Sequence, residues 1–335
     1  MGCAAALPDS VATLRALPTV ERVVPGADVA AVADALGVAS DDVSTVRQRS
    51  ARAVLRIQDG CDEHCTFCAT TLARGANRSR TVDALVTEAT ALADHHPEIV
   101  LTGTHIGTYG ADGDSSLGEL TEALVRRVPR VRFRLSSIEA TEVDARLAEL
   151  LVGDVSRVVP HLHAPLQSGS DRLLRRMGRH WYTAVEYAEA VERLAARASV
   201  FGLGADVIVG FPGESETDFA ATVEVVERLP FTYLHVFTYS PRQGTAATRL
   251  PSPVPAAIAR ERSERLRAIG SEKGRAYLNR RVGTTADVVV IDGPPRREGM
   301  TEDYLTVRVG GAHGRGERFE TGLCLEGDEL VTRDS

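Results

Sequence analysis

Six short apolar runs alternate with five stretches whose apolar residues recur at three- and four-residue spacing, and this alternation restricts the chain from Arg52 onward to a parallel α/β architecture. Residues 53–58, 98–102, 131–136, 158–163, 205–210 and 233–238 read as strands, and 82–94, 117–128, 143–152, 184–198 and 216–229 as amphipathic helices. Parallel strands gather functional groups at their C-terminal ends. Here those ends carry Asp59-Gly60-Cys61, Thr102-Gly103-Thr104-His105, Ser136-Ser137, His163 and Gly210-Phe211-Pro212-Gly213. The expected fold is an open, partial TIM-like barrel of about six βα units with one active rim.

A long polar helix from near Pro255 to about Arg281 follows, after which short alternating runs such as 286–291 and 304–309 predict a separate small β-barrel. Residues 51–275 are expected as the main domain and 276–335 as the small one. In the first 50 residues, 20–24 reads as a strand and 27–36 as a helix before a polar linker, 40–50. Fifty residues are few for an independent domain.

No stretch approaches the roughly 18 consecutive apolar residues of a membrane span, and the chain is expected in the cytoplasm. A net charge of −7 gives no global basic field for nucleic acid, so an RNA partner has to be met locally. Five cysteines are too few for a disulfide scaffold in a chain of 335 residues. Three of them, Cys61, Cys65 and Cys68, crowd into one loop directly after the first strand. Thiolates suit iron–sulfur clusters or zinc, and a closed zinc site wants four ligands. Three thiols leave one corner open for a chelating substrate such as S-adenosylmethionine, with Phe67 a flat neighbour for its adenine. The competing reading is a zinc site completed by His64 or a distant residue.

The spacing of the three cysteines resembles that of the radical S-adenosylmethionine superfamily, and the surrounding words resemble its methylthiotransferases. These words are Ile57-Gln58-Asp59-Gly60-Cys61, Ala73-Arg74-Gly75 with Ser79-Arg80, His163-Ala164-Pro165-Leu166-Gln167-Ser168-Gly169-Ser170, Asp206-Val207-Ile208-Val209-Gly210-Phe211-Pro212-Gly213-Glu214 and Ser240-Pro241-Arg242-Gln243-Gly244-Thr245. They cover roughly residues 52–249. Gly299-Met300-Thr301-Glu302-Asp303-Tyr304-Leu305 resembles the family's TRAM domain. Leu101-Thr102-Gly103-Thr104-His105-Ile106-Gly107 with Tyr109-Gly110, and Leu135-Ser136-Ser137-Ile138-Glu139, are similar to the branch acting on threonylcarbamoyladenosine of tRNA, the MtaB type.

The resemblance implies that Cys61, Cys65 and Cys68 hold a 4Fe-4S cluster with S-adenosylmethionine. It also implies that a 5′-deoxyadenosyl radical takes hydrogen from C2 of the modified adenosine beside the anticodon, where a methylthio group replaces it. No protein acid or base is needed to start this chemistry. The implied partners are tRNA and an electron donor such as flavodoxin or ferredoxin, and a monomer is expected. Family members carry an N-terminal domain whose three cysteines hold a second 4Fe-4S cluster. Cys3 resembles the third of these, so residues 1–50 are expected to be a truncated remnant of that domain, forming the cluster only where the other ligands are supplied.

Among secondary residues, Gly210, Phe211 and Pro212 are expected to contact S-adenosylmethionine, although the same word makes a tight strand-to-helix turn. Gln167 and Ser168 are expected to bind it by hydrogen bonds. Gly103 and Glu139 face its amino acid or ribose portion, or else Glu139 caps a helix. Arg74, Arg78 and Arg80 form a local basic edge for RNA phosphate, or an ordinary solvated run. Arg296, Arg297, Tyr304 and Arg308 are the tail's candidates for RNA, and Cys324 reads as a small buried hydrophobe. Two rival readings are a ribosomal-protein aspartate methylthiotransferase and a catalytically incomplete RNA-binding protein.

Overall fold

The computed structural model describes residues 3–6, 8–24, 29–38, 48–293 and 297–333. Among these, six parallel strands form a curved sheet in sequence order: β1 (Ala53–Arg56), β2 (Glu98–Thr102), β3 (Arg132–Leu135), β4 (His161–His163), β5 (Gly202–Val209) and β6 (Tyr233–Thr238). Single parallel bridges, Phe133 to Val158 and Ser137 to His163, join the two halves. β1 and β6 do not pair, so the barrel stays open, as expected.

The helices between the strands are α4 (Val82–Ala93), α5 (Leu117–Arg127), α6 (Ala145–Val152), α7 (Asp171–Arg176), α8 (Ala184–Ala195) and α9 (Glu216–Arg228). Capping boxes at Ser116/Glu119, Thr183/Glu186 and Ser215/Asp218 fix where α5, α8 and α9 begin. Leu85, Ala89 and Leu92 of α4 pack with Leu55, Ile99, Leu101 and Phe133 in one apolar core. α1 (Pro8–Arg15), α2 (Val29–Leu36) and a short α3 (Thr70–Arg74) complete this part. No helix of the described residues is long and apolar enough to cross a membrane.

Three expectations need correction. Residues 20–24 form no strand, because no described strand lies beside them to share a ladder, and α1 forms upstream instead. The 158–163 run forms a continuous strand only at His161–His163, with Val158 left in a single bridge to Phe133, since Pro160 has no N–H to donate. β5 begins at Gly202, earlier than expected. Glycine is required there by close approach: a Cβ at Gly202 would strike the carbonyl oxygen of Asp303, and one at Gly204 the ring of Tyr233. Residues 27, 28 and 40–47 of the expected helix and linker lie outside the described residues.

α10 (Ala256–Arg281) leads to a closed barrel of five short strands among the described residues: β7 (Thr285–Val290), β8 (Glu298–Met300), β9 (Thr306–Arg308), β10 (Arg318–Glu326) and β11 (Glu329–Thr332), in the order β8-β9-β11-β10-β7. Val288, Val290, Val307, Leu323 and Leu330 fill it.

This tail closes the floor of the large barrel through buried charge. Glu98 and Arg132 are fully buried and Arg134 nearly so. Arg132 Nε donates to Glu98 Oε2 at 2.6 Å and Arg134 Nε to Oε1 at 2.9 Å. The outer nitrogens reach the tail: Arg132 Nη1 donates to Asp287 O at 2.7 Å and Arg134 Nη2 to Thr301 O at 2.9 Å. Burial alone would raise the Glu98 carboxyl, but Arg134 and Arg132 hold it far below the ordinary carboxylate range. The ion cluster therefore contributes stability at any pH above that of a free carboxylate, and loses it only as pH falls through the lowered value. We predict that Glu98→Gln, which strands two buried guanidinium groups, lowers the urea unfolding free energy by about 3–5 kcal/mol. Glu122→Gln, breaking an exposed pair with Arg146, should shift it by less than about 1 kcal/mol.

Candidate active site

The loop carrying the three thiols leaves the C-terminal end of β1 and is closed at its base by a short antiparallel ladder, Gln58–Asp59 against Arg78–Ser79. Gly60 has φ +79°, and a Cβ there would strike the Ala76 carbonyl oxygen, so only glycine lets the loop pass. Gln58, 1% exposed, fixes the loop to its neighbour. Its Nε2 donates to Gly60 O (2.7 Å) and Asn77 Oδ1 (2.5 Å), while its Oε1 accepts from the backbone N–H of Thr104 and His105, both at 2.9 Å. Cys61 N donates to Gly75 O and Thr66 N to Met177 O, which pins the loop further along.

All three thiols line one cavity of about 190 Å³ with His105, Glu139, Gln167, Arg179 and Trp181. Cys61 Sγ lies 3.7 Å from His105 Nδ1, Cys65 Sγ 3.7 Å from Arg179 Nη1, and Cys68 Sγ 3.0 Å from Thr70 Oγ1. Burial pushes the Cys65 thiol up to about 11, with the Arg179 cation opposing it. Burial would lower His105, but its contacts to Cys61 and Glu142 raise it to about 10. Arg179 Nη2 donates to both oxygens of Glu139 at 2.6 Å and lies over the rings of Trp181 and Tyr182. Burial dominates at Glu139 and leaves its carboxyl raised despite Arg179.

A second cavity of about 260 Å³ shares Phe67 and Gln167 with the first and continues past Asp206, Ile208, Phe237, Tyr239 and Arg242. Around the two, Gln167 Oε1, Trp181 Nε1 and Tyr239 Oη are buried without a hydrogen-bond partner. Leaving such an atom unpaired costs about 1–3 kcal/mol, so three lining adjoining cavities mark a place built to receive a polar ligand. Gln167 is also held at φ +60°, a strained conformation for a non-glycine residue. A larger hollow of about 590 Å³ lies outside the barrel between α6 and α8 and shares only Trp181 with the thiol cavity.

The donor set fits an iron–sulfur cluster with one corner open. His64 is exposed and does not line the cavity, and Cys324 sits in β10 with its Sγ toward Val331 O, so neither completes a four-ligand zinc site.

Phe67, Glu139 and Gln167 are brought to the cavity, but other expected residues are not. Ser168 is consumed in its own turn, accepting from Ser170 N, and lines neither cavity. Gly210 N donates to Glu214 Oε2, Pro212 O accepts from Arg176 Nε, and fully buried Phe211 packs edge-on to Phe67 and Tyr239. That word is a turn supporting the cavity wall from behind. Gly103 faces a neighbouring hollow beside Asp59, where a Cβ would meet Gln58 at 2.8 Å.

Arg74 and Arg78 share the single carboxylate of Asp59 with Arg56, and Arg80 pairs with Glu88, so among the described residues these four guanidinium groups meet two carboxylates and the edge is partly neutralised from within. Tyr304 is turned into the barrel floor, its ring stacked 4.5 Å from that of His161, rather than toward an RNA surface. Arg308 pairs with Glu326 and Glu329, and Arg297 donates to Gly311 O from a partly exposed position. Arg296 lies outside the described residues, as does the Cys3 side chain. The backbone turn Cys3–Ala6 packs against α3, just beyond Cys68. No sequence pattern marks Arg179 and Trp181: they follow α7 in a segment without a motif, and the partners of Arg179, Cys65 and Glu139, lie far away in sequence.

Two outcomes follow from this geometry. Gln58→Ala should retain the fold by circular dichroism yet take up less than half the parent's iron on anaerobic reconstitution. Because a proton has to leave Cys65, iron uptake at fixed time should rise as pH is raised from neutrality.

A family model for the radical SAM superfamily matches residues 55–226. The chain is 36% identical over 258 residues to the threonylcarbamoyladenosine tRNA methylthiotransferase MtaB of Aquifex aeolicus, covering 77% of this chain and 62% of that one. The MtaB of Bacillus subtilis is 37% identical over 275 residues, with coverages of 79% and 60%. The tRNA-2-methylthio-N(6)-dimethylallyladenosine synthase of Acidithiobacillus ferrooxidans is 37% identical over 253 residues, with coverages of 74% and 55%. The chain therefore spans little more than half the length of these curated relatives. The match over residues 55–226, laid on a three-thiol loop at the rim of an open parallel barrel, makes this chain a member of the radical SAM superfamily, whose cofactors are a 4Fe-4S cluster and S-adenosylmethionine.

Proposed function

We propose that this chain serves as a radical S-adenosylmethionine tRNA methylthiotransferase, adding a methylthio group to C2 of threonylcarbamoyladenosine next to the anticodon. The observation that carries the reading is the thiol cavity: three cysteines on one loop face a space edged by unpaired polar atoms and continuous with a second cavity. The names of the Aquifex and Bacillus relatives support the substrate.

In this reading Cys61, Cys65 and Cys68 hold the cluster and Phe67 lies beside the adenine. When bound, cluster and cosubstrate together supply a carbon-centred radical able to abstract hydrogen. The protein's part is to bind, orient and exclude water. Gln167 Oε1 accepts from the cosubstrate and Trp181 Nε1 donates, each gaining the partner it lacks. The Glu139–Arg179 pair, nearly buried on both sides, holds a fixed charge pattern beside Cys65. Cys3 belongs to a second cluster serving sulfur delivery where further ligands are supplied, and its place beside α3 supports this. tRNA and a flavodoxin- or ferredoxin-class donor are the partners of a monomeric cytoplasmic enzyme, with partly exposed Arg297 in the tail facing the RNA.

The test is mass analysis of tRNA nucleosides from a strain lacking the gene. The 2-methylthio form of threonylcarbamoyladenosine should vanish while the unmodified nucleoside accumulates. Loss of the methylthio dimethylallyl nucleoside instead, or of methylthio-aspartate from ribosomal protein, would overturn the substrate, and no change would overturn the function. In vitro, Gln167→Ala should weaken S-adenosylmethionine binding about tenfold by anaerobic equilibrium dialysis, the worth of one buried hydrogen bond. Unchanged affinity would remove Gln167 from the binding site.

A further inference from the structure

Away from the thiols, three other ligand-type side chains converge inside the barrel. His163 ends β4, Asp206 lies in β5 and His235 in β6. Sheet register puts them together: Asp206 is opposite His235, His163 is opposite Gly204, and the period of two along a strand turns Gly204 and Asp206 to the same face. His163 Nε2 is 3.0 Å and His235 Nδ1 3.3 Å from the same oxygen, Asp206 Oδ1. All three ligand atoms lie within 4.8 Å of one another.

Bonds of about 2.0–2.2 Å to a tetrahedral ion set its ligands about 3.3–3.6 Å apart. The two separations to Asp206 are already near that, and rotation of His235, with a side chain 52% exposed, brings the two imidazoles to it. A second layer is in place as well. His163 Nδ1 lies 3.0 Å from the Tyr233 hydroxyl, which lies 2.9 Å from His161 Nε2, the kind of outer contact that fixes the ring and tautomer of a ligating histidine.

We propose that His163, Asp206 and His235 form a binding site for a divalent transition ion of the zinc class, separate from the thiol loop. Two imidazoles and one carboxylate suit such an ion and leave coordination positions open. Asp206 also lines the second cavity, where Gln167 joins it to the thiol cavity, so the open positions accept an oxygen donor from whatever fills that space.

The probe is Co(II), titrated anaerobically into the full chain bearing Cys61→Ala, Cys65→Ala and Cys68→Ala together. The expected result is saturable uptake of one ion per chain, with ligand-field absorption but no thiolate-to-cobalt charge transfer, and displacement by Zn(II). Adding His235→Ala or Asp206→Asn should weaken uptake at least tenfold. As a second measurement that does not depend on the triple variant folding, cluster-loaded parent chain dialysed against Zn(II) should retain one zinc, and cluster-loaded His235→Ala none. Absence of saturable uptake in both preparations would overturn the proposal and leave a metal-free hydrogen-bond relay from His161 through Tyr233 and His163 to Asp206. Uptake indifferent to His235 and Asp206 would overturn it equally.

Discussion

The buried contact of Glu98 with Arg132 and Arg134 is the interaction on which the rest of this molecule stands. A six-stranded sheet that fails to close leaves polar backbone and an open lumen at its floor. Here two guanidinium groups share one carboxylate inside and spend their remaining donors on carbonyls of the tail barrel. Fully buried ions carry a large desolvation cost, so the arrangement holds only while every donor is satisfied. The tail answers with its own contacts: Tyr277 Oη donates to Asp303 Oδ2 at 2.6 Å, and Tyr304 stacks on His161. With the floor sealed, the chemistry is confined to the opposite rim, where the strand C-termini open.

At that rim Gln58 plays the corresponding part on a smaller scale. One neutral side chain satisfies donors and acceptors from three segments and brings the thiol loop and the loop after β2 into fixed register. A charged residue there would bring a desolvation cost and an apolar one would leave four polar groups unpaired. The thiols therefore sit on a loop held by the barrel itself. Of the six buried side-chain polar atoms without a hydrogen-bond partner among the described residues, three, on Gln167, Trp181 and Tyr239, belong to residues lining the thiol cavity and the one that adjoins it.

The sheet was legible because helical and strand periodicities differ so plainly: 98–102 and 233–238 match β2 and β6 residue for residue. The misses have local causes that periodicity does not carry. Pro160 shortens β4, the glycines at 202 and 204 extend β5 where Asp303 and Tyr233 crowd in, and residues 20–24 lack a partner strand. Within the site, three cysteines in one loop were readable because sequence neighbours stay neighbours. Arg179 and Trp181 were not, since their roles exist only once α7 is folded against the rim. Ser168 and the Gly210-Phe211-Pro212 word illustrate the converse: glycine, serine and proline at a strand end suit ligand contact and turn-making equally, and here the turn takes them. Nor did the strands' separate patterns reveal that His163, Asp206 and His235 meet, because that follows from register between strands.

Function in this molecule turns on the thiol cavity binding a cluster and S-adenosylmethionine and cleaving the latter. The most direct measurement is chromatographic detection of 5′-deoxyadenosine after anaerobic reconstitution and dithionite reduction with S-adenosylmethionine, comparing the parent chain with Cys65→Ala. Product is expected from the parent and none from the variant. An intact cluster in the parent that yields no 5′-deoxyadenosine, or equal product from both chains, would contradict it.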